Sequence, residues 1–108
     1  MDTYTLIRAA IEKRQQVIAT YRGYRREMCP HAIGFNRVHE RQALFYQFAG
    51  DSASGLGPPG SAENWRCIPI DELHNVEVRE GEWHTAPDHT RRETCVFHQL
   101  ELEVRPQP

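Results

Sequence analysis

A mainly β fold with one N-terminal helix is predicted for this 108-residue chain: five short strands forming a small closed or half-open barrel, the helix packed on it, and a strand extension at the C-terminal end. Three observations predict it. Apolar residues recur at three- and four-residue spacing over 3–15 and nowhere later. From residue 17 the period falls to two, in short runs separated by turn residues. The length suits one domain and leaves no room for a second core.

In the helix, residues 3–15, Leu6, Ile7, Ala10, Ile11 and Arg14 share one side. Asp2 or Thr3 caps its start, Lys13 and Arg14 lie near the negative end of its dipole, and Arg8 and Glu12 pair on the solvent face. Residues 17–21 form the first strand, and Arg22-Gly23 a tight turn in which glycine takes a positive φ. Residues 24–35 make a longer strand in which Pro30 demands an edge or a bulge. After a turn at 36–41, residues 43–50 form the most aromatic strand. The Gly/Ser/Pro run of 50–63 is read as a long slack connection, because lengthening a loop costs little. Residues 64–70 and 75–80 are the fourth and fifth strands, joined by a 3₁₀ turn at 71–73. Residues 81–93 are polar and aperiodic, with His84, Asp88 and His89 read as solvated. Residues 94–104 alternate again, with Val96, Leu100, Leu102 and Val104 on one face. A small domain cannot leave that face bare, so the strand is expected to pair with its own sheet or with a second copy in a two-fold dimer.

Charged residues make up 26% of the chain and hydrophobic residues 39%, a folded rather than a disordered balance. No apolar run approaches the roughly 20 residues of a membrane helix, and no signal peptide is visible, so no membrane partner is expected. The odd count of cysteines, Cys29, Cys67 and Cys95, argues against a disulfide framework and for a reducing, cytoplasmic setting. Cys29-x-His31 and Cys95-x-x-His98 have zinc-like spacing. Residues three apart on a strand point to opposite faces, however, so no metal is expected. No Gly-flanked serine nucleophile, H-E-x-x-H or P-loop is present, and the function expected is non-enzymatic, without cofactor. Twelve of the thirteen basic residues are arginine, suited to phosphate contacts and aromatic stacking. Arg26, Tyr46 and Arg66, on neighbouring strands, are expected to converge on one surface where a base could stack beside phosphate contacts.

The opening helix, VIATYRGYRR, MCPHAIGFNR, LFYQFAG and WRCIPIDELHNVEV followed by Trp83 together resemble the WYL domain family, over about Leu6 to Trp83. The naming tripeptide reads Phe45-Tyr46-Gln47 here, and Glu72 stands where many members carry arginine. The resemblance implies a small Sm-like (Src-homology-3-like) five-stranded barrel over residues 1–83, with 84–108 as the extension. It also implies a sensing module of bacterial regulation or phage defence, here a standalone form lacking a DNA-reading helix-turn-helix. The expected partner is a nucleic acid or nucleotide-like ligand held by Tyr21, Arg25, Arg26, His31, Tyr46, Gln47, Trp65 and Arg66. The alternative is an interaction module that forms a homodimer or docks onto a larger effector protein.

Overall fold

Helix α1 (Thr3–Lys13) lies across one face of a six-stranded antiparallel sheet in the computed structural model, which describes residues 2–87, 95 and 97–104. The Asp2 carboxylate accepts from the Thr5 N–H and starts the helix. Arg14 ends it in the left-handed conformation. Arg8 donates to the Tyr4 hydroxyl rather than pairing with Glu12.

The strands are β1 (Gln16–Tyr21), β2 (Tyr24–Phe35), β3 (Arg41–Gly50), β4 (Trp65–Pro69), β5 (His74–Arg79) and β6 (Gln99–Glu103). Their order is β4-β3-β2-β1-β5, with β6 added to β2. The Arg22-Gly23 turn puts both residues at positive φ, 53° and 79°, which suits the right-handed twist of a two-residue hairpin. Pro30 sits at a register shift between β2 and β3, so the proline marks a bulge in a central strand. A 3₁₀ turn at Ile70–Glu72 joins β4 to β5, but these two end strands do not pair with each other and the sheet is open.

Both faces of the sheet are covered. On one, Ile7, Ala10 and Ile11 of α1 meet Val17, Met28, Ile33, Phe45 and Ile68. On the other, Leu44, Tyr46 and Trp65 meet Ala86, Cys95 and Phe97 from the C-terminal segment. β6 pairs in cis with the second half of β2, beyond the stretch used by β1. A Cβ at Gly34 would come within 2.2 Å of the Gln99 carbonyl oxygen, so glycine is what lets β6 approach there. A register shift between Ile33 and Gly34 separates the expected single apolar face. Leu102 and Val104 join the helix-side core, and Leu100 joins the opposite one. Val96 lies outside the described residues.

The cysteine expectation is corrected. Cys67 on β4 and Cys95 in the C-terminal segment form a disulfide, leaving Cys29 as a buried thiol. An odd count excludes complete pairing, not a single bridge. With Cys95 bridged, the C-x-x-H pair loses its sulfur ligand.

Candidate functional site

Register decides where the predicted site residues point. Directly opposed residues of an antiparallel pair share a face, and adjacent residues alternate. Phe45 stands opposite Arg66, Tyr46 opposite Trp65, and Gln47 opposite Met28. Arg66 and Gln47 therefore share the helix-side face, whereas Tyr46 and Trp65 face the C-terminal segment. Of the expected convergence, Arg26 and Arg66 do interact, and Tyr46 acts electrostatically on Arg66 from the other face of the sheet; the eight residues divide into two groups.

The first group lies at one end of the sheet. Arg26 is only 4% exposed; its guanidinium donates to the Gln47 side-chain oxygen at 3.3 Å and to the Tyr21 carbonyl at 3.4 Å, and Nε has no partner. Its Cζ lies 5.0 Å from the Tyr21 ring centre and 5.7 Å from that of Tyr24, while Arg22 stands 5.3 Å from Tyr21. Burial lowers the Arg26 pKa from the usual arginine value, and repulsion from Arg66 lowers it further. Burial also lowers that of Arg66. Arg25 is paired with Glu27 at 3.1 Å, and Arg79 also holds Glu27, at 2.6 Å. Among the described residues no carboxylate pairs with Arg22, Arg26 or Arg66.

Arg66 has a structural task as well. It donates to the carbonyls of Glu63, Trp65 and Gly55 and reaches the Ser52 hydroxyl, tying down the start of the 50–63 connection. Asn64, 2% exposed, holds the rest: its side chain accepts from the Gly57 N–H at 2.8 Å and donates to the carbonyls of Gly57 and Pro58. The Tyr46 hydroxyl donates to the Ser61 carbonyl. The expected slack is corrected: the half-exposed Arg66 and the buried Asn64 and Tyr46 pin this loop at both ends.

The second group is His31, Tyr46 and Trp65, all buried. The His31 ring packs edge-on to Trp65 and lies 4.8 Å from the ring centre of Trp83. Its Nδ1 lies 2.8 Å from the Cys29 carbonyl oxygen, so this nitrogen carries a proton, and Nε2 is hydrogen-bonded to the Thr85 hydroxyl at 2.9 Å. His31 thus anchors the segment after β5 to the sheet. The Cys29 thiol, whose pKa burial raises to about 11, accepts from the His84 N–H. Between β3, the loop and this segment lies a cleft of about 480 Å³ lined by Tyr46, Phe48, Gly57, Pro59, Gly60, Asn64 and Trp83 to Thr85.

Sequence reasoning missed most of that cleft. His84 reads as solvated by composition, yet its ring stacks on Phe48 with centres 4.1 Å apart. The available signal was the aromatic pair Trp83-His84 inside an otherwise polar run. Comparison with protein-family models, curated proteins and solved structures yields no match.

Proposed function

We propose that the chain is a non-enzymatic, WYL-like sensing module that binds the phosphates of a nucleic acid or nucleotide-like ligand at the arginine-rich end of its sheet. The observation that carries this reading is the uncompensated charge there. A buried guanidinium is ordinarily paired with a carboxylate, and Arg26 has only two long bonds to neutral oxygens. Arg22 and Tyr24 on the adjoining turn are exposed, offering a phosphate contact and a ring for stacking. The strand order gives the family resemblance further support. A meander whose fifth strand returns beside the first is a barrel one pairing short of closure, and only a 3₁₀ turn and Leu73 separate β4 from β5. The setting implied is bacterial regulation or phage defence. A cytoplasmic location no longer draws on the cysteines, because disulfides persist mainly in oxidising compartments.

Fluorescence anisotropy with labelled single-stranded RNA and DNA tests the proposal. Binding at low salt should weaken as salt rises, and Arg22→Ala should reduce the salt slope by about one. Arg22 is the better probe because Arg66 also holds the loop. Absence of binding to RNA, DNA and nucleotides at low salt would overturn the proposal. The lead would pass to an interaction module docking on a larger effector or a second copy, a reading favoured by β4 and β5, each of which has one strand partner among the described residues. The homodimer has lost its first argument, since the β6 strand is paired within its own chain.

A further inference from the structure

We propose that the cleft between β3, the 57–60 loop and Trp83 to Thr85 is a second binding site, separate from the arginine end, and that its ligand is a flat, uncharged heteroaromatic ring.

The walls are built before any ligand arrives. Tyr46 and Phe48 stand on the same face of β3, and the opposite wall is the peptide of Gly57, Pro59 and Gly60. Each wall is fixed from behind. Asn64 holds Gly57 and Pro58, the Tyr46 hydroxyl holds Ser61, His31 holds Thr85, and the Cys29 sulfur holds the His84 N–H. A ligand therefore meets a shape it does not have to order, which removes much of the entropic cost of binding.

The lining selects the chemistry. Among the described residues no aspartate, glutamate, lysine or arginine lines it, so none of these compensates a phosphate or a carboxylate. Aromatic rings and a proline dominate, and the volume of about 480 Å³ is that of small-molecule sites. Phe48 and His84 stack on each other, and a planar ring extends such a stack at its outer face. Hydrogen-bonding capacity remains at its edge: among the described residues the ring nitrogens of His84 have no hydrogen-bond partner, and the Gly60 peptide borders the cleft. A ring with its own donors and acceptors uses those groups, whereas a hydrocarbon would strand them. An extended peptide is disfavoured over Gln42 to Tyr46, where β3 is already paired on both sides with β2 and β4 and leaves no edge for strand addition.

Titration of adenine, adenosine and lumichrome into the intact protein, followed by calorimetry and by quenching of Trp83 fluorescence, tests the assignment. At least one should bind saturably, with an affinity unchanged between about 0.05 and about 0.5 M salt, because no charge is neutralised. Phe48→Ala and His84→Ala should each weaken it about tenfold, the usual effect of removing one stacking ring. Phe48→Leu, which keeps an apolar side chain without a ring face, guards against a folding defect and should weaken binding similarly. Arg22→Ala should leave it unchanged, which separates this site from the arginine end. The proposal is overturned if no probe saturates, if all three cleft variants bind like the parent, or if salt or Arg22→Ala abolishes the signal.

Discussion

Reducing the Cys67–Cys95 disulfide should cost this domain about 3.6 kcal/mol. The bridge closes a loop with a sequence separation of 28 residues. Loop-closure entropy for that length is about 12 cal/mol/K, which at 25 °C gives the figure above. The folded state should change little, because the C-terminal segment keeps other attachments: β6 pairs with β2, and the His98 N–H donates to the Phe35 carbonyl. The destabilisation therefore arises in the unfolded chain, which gains freedom when the tether opens. Urea unfolding of the oxidised and reduced wild type, followed by tryptophan fluorescence, compares identical side chains. With a slope of about 1.5–2 kcal/mol/M, the midpoint should fall by about 2 M on reduction. Thiol titration of the unfolded, unreduced protein should find one reactive group, Cys29. Three reactive thiols in freshly purified protein, or a loss below about 1 kcal/mol on reduction, would refute the reasoning.

Asn64→Ala should cost about 2 kcal/mol in the same urea assay, since it removes one short and several long hydrogen bonds from a buried site. It should also weaken any ring ligand of the cleft, because the loop wall loses its anchor. Hydrogen bonds from Arg79, then Arg25, lower the Glu27 pKa in the folded state. Its stabilisation is therefore present above the unfolded value, near 4.5, and is lost as pH falls through the lower folded value. Glu27→Gln should flatten that acid limb by no more than about 1 kcal/mol, read from unfolding midpoints between pH 7 and the acid limit.

Local sequence carried the elements well and their mutual register poorly. The bounds of β2 follow from Gly23 on one side and the Asn36 turn on the other, and the Asp2 cap from its place before an apolar stripe. Whether Arg66 faces Phe45 or Tyr46 depends on how the 50–63 connection returns the chain, and a one-residue slip reverses every side chain. That return is set by Asn64, whose role shows only once Gly57 and Pro58 are beside it. The disulfide was hidden for a similar reason, because Cys67 and Cys95 meet only when the C-terminal segment folds over β4. Arg26 and Arg66 were legible as candidate charges, but the burial of Arg26 and the face on which Tyr46 stands were not.

The division of β2 between two partners also bears on the order in which the sheet assembles. β1 to β2 and β2 to β3 are hairpins between consecutive strands, whereas β6 must find Ala32–Phe35 from more than sixty residues away. Contacts of such long separation form late, after local pairing has repaid its entropy. β1 to β4 can therefore pair before the C-terminal segment docks. Until that segment docks, Leu44, Tyr46 and Trp65 stay uncovered, and in that interval the folding chain is most prone to aggregate.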